Sequence, residues 1–148
     1  MMKKILLMML TMCSINLVPA QSKFEITINT IGTWMGTYDD GLKNLMKKGE
    51  YNHIFFEFHD NGTLTVTRYQ GEMTNLKKIV ETYQYHFDKE TLTVTANGNT
   101  QKIVYSLEYH SFRERKSMTL YYWKGSDKEL HLSGGETAFQ AKKDFDDL

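Results

Sequence analysis

The sequence has one cysteine, one proline and no excess of charge of either sign, and these shortages exclude several classes of protein. Disordered and collagen-like chains are excluded, because 41% of the 148 residues are hydrophobic and 13% are aromatic. The 18 basic residues balance the 18 acidic ones, so the chain has no positive field with which to hold nucleic acid. A chain of this length has room for one hydrophobic core, and we expect a single folded domain.

Catalytic and metal-binding motifs are missing as well. The chain has no G-x-S-x-G turn, no phosphate-binding loop and no H-E-x-x-H sequence. His53 and His59 lie six residues apart, which is roughly 20 Å of extended strand, so they are too far apart to bind one ion. The other three histidines show no compact ligand spacing. The sequence therefore predicts no enzyme, no catalytic residue, no metal site and no cofactor.

Residues 1–20 have the pattern of a cleavable export signal. Two lysines precede an apolar stretch that begins at Ile5, and Val18-Pro19-Ala20 places small residues before the expected cut after Ala20. The apolar stretch is interrupted by polar residues and is shorter than the roughly 20 residues that a membrane span needs. We therefore expect a periplasmic or secreted protein whose mature chain has no transmembrane segment.

Cys13 is the only cysteine and lies inside this signal. Lipid attachment at Cys13 is the less favoured alternative, because Leu10-Thr11-Met12 precede it where a lipoprotein signal has small residues. Cleavage after Ala20 removes Cys13 and two lysines, which leaves 16 basic and 18 acidic residues. The mature chain then has no thiol, which excludes disulfides and a cysteine nucleophile.

From Trp34 onward, hydrophobic and polar residues alternate with a period of two, which is typical of strands joined by short turns. Asn61-Gly62 tolerates positive φ and predicts a tight hairpin. The predicted strands are residues 31–38, 53–59, 63–69, 79–87, 91–96, 102–110, 117–124 and 129–133. Because the connections between later strands are short, we predict an all-β, antiparallel, up-and-down barrel of eight strands over residues 21–135.

Two segments depart from this period. Leu42, Leu45 and Met46 have helical spacing, so residues 42–48 predict a short helix near the N-terminal strand, either a mobile lid or a fixed plug of the barrel end. Residues 136–148 follow two glycines and form an acidic C-terminal tail, which we expect to be mobile or a short helix.

The alternation also assigns the two faces of the predicted sheet. The inner positions are Ile54, Phe56, Phe58, Leu64, Val66, Tyr83, Tyr85, Phe87, Leu92, Val94, Ala96, Ile103, Tyr105, Leu107, Met118, Leu120, Tyr122, Leu130 and Leu132. Four of these are tyrosines, whose hydroxyls need hydrogen-bond partners when buried. Phe55, Tyr121 and Trp123 fall on the outer face, where they predict an exposed aromatic patch.

Residues 31–38, Ile-Gly-Thr-Trp-Met-Gly-Thr-Tyr, resemble the G-x-W opening of lipocalins and of small lipocalin-like domains in secreted bacterial proteins, with Gly32 and Trp34 in the motif positions. Residues 56–64 and 118–122 look like the hairpins of the bacterial group. The resemblance implies a barrel whose floor Trp34 closes and whose interior binds small apolar molecules. The T-D-Y segment of lipocalins is missing, and so is an arginine in the last strands to stack on Trp34, because Arg113 and Arg115 fall in a predicted loop.

Two functions remain open at this point. The first is non-catalytic binding of a small apolar or amphipathic ligand inside the barrel, with tyrosine hydroxyls at its rim. The residues expected to line that site are Trp34, Phe56, Phe58, Arg68, Tyr83, Tyr85, Tyr105 and Tyr122. The alternative is a packed barrel that binds another protein, as an inhibitor, immunity protein or envelope subunit, through Phe55, Tyr121 and Trp123.

Overall fold

The computed structural model describes residues 28–38, 50–72 and 74–148. Its strands are β1 (Gly32–Tyr38), β2 (Glu50–Phe58), β3 (Thr63–Glu72), β4 (Lys77–Phe87), β5 (Thr91–Ala96), β6 (Asn99–His110), β7 (Arg115–Tyr121) and β8 (Leu130–Gly134). A helix, α1, spans Glu136–Asp146, so the C-terminal tail takes the second of the two forms that we expected, a short helix. The predicted signal at 1–20 and the predicted helix at 42–48 lie outside the described residues. Within the described part, the helix therefore follows the last strand.

The eight strands form a closed antiparallel barrel in sequence order. Each strand pairs with the next, and β1 pairs with β8 from Trp34↔Gly134 to Tyr38↔Leu130. The predicted up-and-down barrel is confirmed. Its meander alternates direction, so the turns at 59–62, 88–90 and 111–114 share one end, here called the lower end. The turns at 97–98 and 122–129 lie at the opposite, upper end.

Residues with positive φ form the tight turns. Asn97 and Gly98 join β5 to β6 with φ of 52° and 79°. Two successive positive φ values match the right-handed twist of the flanking strands, which is why this pair forms a two-residue hairpin. Gly62 has a φ of 85° in the β2–β3 turn, where we predicted a tight hairpin. Both turns fix the register of their strands.

The inner face follows the predicted alternation along most of the barrel. The fully buried inner side chains are Ile54, Phe56, Phe58, Leu64, Val66, Leu92, Val94, Ile103, Met118, Leu120, Leu130 and Leu132. Five further predicted positions pack against this core while partly exposed: Tyr83, Tyr85, Phe87, Tyr105 and Leu107. Burial of these apolar side chains supplies the main driving force for the fold.

The alternation fails at the end of β7. Tyr122 has a φ of 64° and is 67% exposed, so its predicted inner position is wrong. The left-handed backbone there turns the chain into a short 3-10 segment, Trp123–Gly125, and brings Trp123 inward instead. Trp123 is 2% exposed and packs on Phe56, with ring centroids 4.9 Å apart. The positive φ of Tyr122 therefore places Tyr122 outside the barrel and Trp123 inside it, the reverse of the prediction.

Helix α1 covers part of the outer wall. Phe145 stacks on Tyr69 at 5.0 Å between ring centroids and contacts Phe55 at 5.8 Å. Asp146 accepts hydrogen bonds from the Tyr69 hydroxyl and from Lys78, the latter at 2.9 Å. Burial acts to raise the pKa of Asp146, but hydrogen bonds from Lys142, Tyr69 and Lys78 outweigh it and lower that pKa. These contacts hold the helix on the sheet.

The predicted aromatic patch does not form on the outer surface. Phe55 is fully buried, because α1 covers it, and Trp123 lies in the core. Only Tyr121 of the three keeps partial exposure. The prediction of an exposed patch is therefore wrong for two of its three residues.

Trp34 closes the lower part of the core. Its indole N–H donates to the Thr30 carbonyl at 2.8 Å, and the Lys116 Nζ lies 4.8 Å from its ring centroid. Gly134 on β8 approaches closely, since a Cβ there would meet the indole at 2.7 Å. Arg115 begins β7 rather than lying in a loop, and the cation over Trp34 is the lysine that follows it.

Candidate functional site

Large side chains occupy the middle of the barrel. Trp34 and Phe56 have no exposed surface, and Phe58 has 1%. Eight-stranded barrels have an interior just wide enough for such filling. These three residues, which we expected to line a ligand site, are therefore part of the packed core.

Tyrosine hydroxyls at the lower end bind the backbone. The Tyr85 hydroxyl donates to the His59 carbonyl at 2.6 Å, and the Tyr105 hydroxyl donates to the Asp88 carbonyl at 2.5 Å. Burial raises the pKa of both hydroxyls. Phe87 lies between the rings, with its ring centroid 5.7 Å from that of Tyr85 and 5.0 Å from that of Tyr105. The two hydroxyls therefore bind the backbone at the lower end of the barrel and do not form the ligand-binding rim that we expected.

The wall opens at the upper end, between β4 and β5. These strands pair only from Gln84↔Thr95 to Phe87↔Leu92, although β4 begins at Lys77. The Tyr85 N–H donates to Gly62 on the β3 side, so odd residues of β4 bond toward β3. The backbone N–H and C=O groups of the even residues point toward β5. Val80 and Thr82 thus present backbone N–H and C=O groups where β5, as described, has no ladder partner for them.

This opening forms the upper cleft, with a volume of about 520 Å³. Its apolar lining comes from Val80, Tyr83, Val94 and Ala96. Its polar lining comes from Glu81, Thr82, Asn97, Asn99, Thr100 and Gln101. The volume falls in the range of small-molecule sites, roughly 300–1,000 Å³.

Charged side chains adjoin the upper cleft on the inner face of the barrel. Glu81 accepts hydrogen bonds from the Tyr83 hydroxyl and from Lys124. Burial acts to raise the pKa of Glu81, but those two hydrogen bonds and the nearby charges of Lys124 and Arg68 lower it. Burial and the hydrogen bond to Glu81 raise the pKa of Tyr83. The carboxylate therefore stays ionised between two cations.

Arg68 has an unusual environment for an arginine. It follows Leu64 and Val66 on the inner face of β3, and it pairs in register with Ile79 of β4. Its Nε is buried and makes no hydrogen bond in the described part of the chain. An unsatisfied buried donor carries a desolvation cost, and an added acceptor would remove it. With Lys124 and Glu81, Arg68 gives this group a net positive charge.

The structure brings together only part of the predicted site. Arg68 and Tyr83 both act on Glu81 at the upper end, whereas Tyr85 and Tyr105 lie at the lower end on either side of Phe87. Tyr122 is exposed. Sequence reasoning missed Glu81 and Lys124. Glu81 has the same inner parity as Tyr83, so alternation alone was enough to place it. Lys124 follows the left-handed turn at Tyr122, which alternation does not predict.

Trp123 connects this charged group to the core. Its ring centroid lies 5.8 Å from that of Tyr83 and 4.9 Å from that of Phe56. The tryptophan therefore forms the inner boundary of the upper end, and it is close enough to Tyr83 to report on changes there.

The described residues contain no group of three or more histidine, cysteine or acidic side chains placed to hold a metal ion. In the same residues, α1 and the shorter helical turns fall short of the length and hydrophobicity needed to cross a bilayer. Comparison of the chain with protein-family models and with curated proteins finds no match.

Proposed function

We propose that this protein binds a small amphipathic molecule with an anionic group in the upper cleft, without covalent chemistry. The proposal rests on one observation: Glu81 lines an open cleft of about 520 Å³, and Arg68, whose charge acts on Glu81, has a buried Nε without a hydrogen-bond partner among the described residues. The anionic group would accept from Arg68 and Lys124. The apolar part would lie against Tyr83, Val80 and Val94.

The charges favour an anion over a cation. Two cationic side chains adjoin one carboxylate, and that carboxylate already accepts from Lys124 and Tyr83. An incoming anion would therefore add the acceptor that Arg68 lacks, whereas an incoming cation would compete for Glu81. Hydrogen bonds that involve charged groups are about twice as strong as neutral ones.

The open seam adds polar groups that orient a ligand. The backbone groups of Val80 and Thr82 have no ladder partner in β5 on this side, and the polar residues Asn97, Asn99 and Gln101 line the other side of the cleft. Sites of this kind combine apolar walls with a few fixed polar groups, which give specificity.

The export signal and the lipocalin-like resemblance remain parts of the proposal. A protein cleaved after Ala20 and released to the periplasm or outside the cell would meet its ligand there. Cleavage is tested by the intact mass of the protein purified from its own host. Native mass spectrometry of the same sample also shows a retained small molecule, a bound protein partner, or neither.

A titration with decanoate and decanol tests the proposal. We expect decanoate to bind more tightly than decanol, because only decanoate offers an acceptor to Arg68. Arg68→Gln should weaken decanoate binding by roughly tenfold, in line with the loss of one charged hydrogen bond. Lys102→Gln, an exposed position on β6, is the matched control and should change nothing. Equal binding of the two probes, or equal effects of the two variants, would refute the proposal.

A further inference from the structure

A second cleft lies at the lower end, beside the β6–β7 hairpin, and it shares no residue with the upper cleft. We call it the hairpin cleft. Its volume is about 350 Å³, and it is lined by His110, Phe112, Arg115, Lys116, Ser117 and Ser133. None of these residues has a role in the proposed function. Three of the six side chains are basic and none is acidic, and one of the three, His110, lies 3.4 Å from the carboxylate of Glu108.

Lys116 is a half-buried ammonium without a carboxylate partner in the described residues. Its Nζ donates one hydrogen bond, to the Asn29 carbonyl at 2.7 Å, and otherwise faces the ring of Trp34. An ammonium has three N–H donors, so two are left for a ligand. Burial lowers the pKa of Lys116, as expected for a cation that no anion compensates.

Arg115 stands next to Lys116 at the start of β7, exposed and likewise without an ion pair to the described acidic residues. Its guanidinium offers a planar set of donors that suits phosphate oxygens. Ser117 and Ser133 lie directly opposite each other in the β7–β8 ladder. They have the same outer parity as Arg115, so their hydroxyls add two neutral donors on its side of the sheet, whereas Lys116 has the inner parity of Met118. Glu108, paired in register with Ser117, is the acidic neighbour on the outer face.

Phe112 supplies an apolar wall. It lies on the short turn Ser111–Arg113 and is 91% exposed. An exposed phenylalanine lowers solubility, so solubility does not explain its position here. Exposed aromatic side chains often mark binding surfaces. The cleft is also larger than an inorganic anion requires, which leaves room for an organic group against this ring.

We propose that the hairpin cleft binds a phosphate monoester, with the phosphate held by Arg115 and the two serine hydroxyls, Lys116 adding positive charge from the inner face, and the organic group packed on Phe112. The same chemistry occurs in a free organic phosphate and in the headgroup of an anionic lipid. This site is independent of the upper cleft, so either proposal stands if the other fails.

Phenyl phosphate is the first probe, and its binding is measured by NMR of the backbone amides. We expect shifts at Ser117 and Ser133, and weaker binding of inorganic phosphate, which has no ring to stack. Arg115→Gln should weaken phenyl phosphate about tenfold or more. Phe112→Ser should remove the preference for phenyl phosphate over inorganic phosphate while leaving inorganic phosphate binding unchanged. Lys102→Gln is the matched control and should leave both phenyl phosphate binding and the shifts at Ser117 and Ser133 unchanged.

Vesicles distinguish the two sources of phosphate. Cosedimentation with phosphatidylcholine vesicles that contain phosphatidic acid, lost on Phe112→Ser and absent with phosphatidylcholine alone, supports a lipid headgroup. Binding of phenyl phosphate without vesicle binding supports a free organic phosphate. Absence of both, or binding that Arg115→Gln does not weaken, would overturn the proposal. Arg115 is exposed, so this variant should fold.

Discussion

The two ends of the barrel use tyrosines in opposite ways. At the lower end, the hydroxyls of Tyr85 and Tyr105 donate to backbone carbonyls, and their rings pack with Phe87. At the upper end, Tyr83 donates to Glu81, a charged group beside an open cleft. The lower hydroxyls are fully paired with backbone carbonyls, so they stabilise the end of the barrel. The upper hydroxyl pairs with a carboxylate in a group that has a net positive charge, and such a group is able to bind an anionic ligand.

Strand pairing explains the difference. The lower end of β4 is paired on both sides, with β3 and with β5, while its upper part is paired with β3 alone in the described residues. Along β4, water and ligands therefore reach the inner face at the upper end, where Glu81 lines the cleft. Buried charges cost stability, so we expect the lower part of β4 to contribute more to folding and its upper part to contribute more to binding in the upper cleft.

The sharpest test of this comparison truncates one aromatic ring at each end. Phe58→Ala should lower the free energy of unfolding by about 3–5 kcal/mol, because Phe58 is fully buried. Tyr83→Ala should cost about 1–2 kcal/mol, because Tyr83 is only partly buried. Urea unfolding of both variants measures the contrast. Equal losses would show that the two ends are equally important for folding.

Substitution of Arg68 should change ligand binding much more than the free energy of unfolding. Replacing it with leucine removes a buried donor without a partner, so we expect the free energy of unfolding to change by less than about 1 kcal/mol or to rise. Decanoate binding should fall roughly tenfold in the same variant. Urea unfolding and calorimetric titration measure the two quantities. A large loss of stability with unchanged binding would make Arg68 a structural residue.

Much of the fold was predictable because alternation is a local property. Residues Leu64, Leu92 and Leu120 point inward as their parity requires, and the turns at Asn61-Gly62 and Asn97-Gly98 lie where positive φ is tolerated. Strand order followed from short connections. These signals depend only on neighbours in the sequence.

The errors have non-local or turn-specific causes. Phe55 was expected on the surface because alternation does not show that Phe145, ninety residues later, covers it. Tyr122 and Trp123 exchanged places because one non-glycine residue adopts positive φ. The upper cleft depends on where β4 and β5 stop pairing, and no residue pattern within either strand indicates that point.

Acidification should weaken the upper end more than the lower end. The pKa of Glu81 is lowered in the folded state, so its contribution is present above the ordinary value of 4.5 and is lost as the pH falls below it. Glu81→Gln should cost about 1 kcal/mol at neutral pH and progressively less as the pH falls below 4.5. Urea unfolding across this range measures the convergence. Parallel curves at all pH values would contradict the assigned role of Glu81.

The smallest expected effect compares two hydroxyls. Tyr85→Phe should cost about 1 kcal/mol of stability and leave decanoate binding unchanged, because its hydroxyl bonds a backbone carbonyl away from the upper cleft. Tyr83→Phe should change stability less and decanoate binding more, because it frees Glu81 from one donor. Reversal of this pattern would place the ligand at the lower end.

The two tryptophans allow the most direct test of ligand binding at the upper cleft. The sequence has only two, Trp34 and Trp123, so an NMR spectrum shows two indole N–H signals, which Trp34→Phe assigns. Titration with decanoate should shift the signal of Trp123, which contacts Tyr83 at the upper end, and leave that of Trp34 in place. A shift of Trp34 alone, or of neither tryptophan at saturating decanoate, would contradict the account.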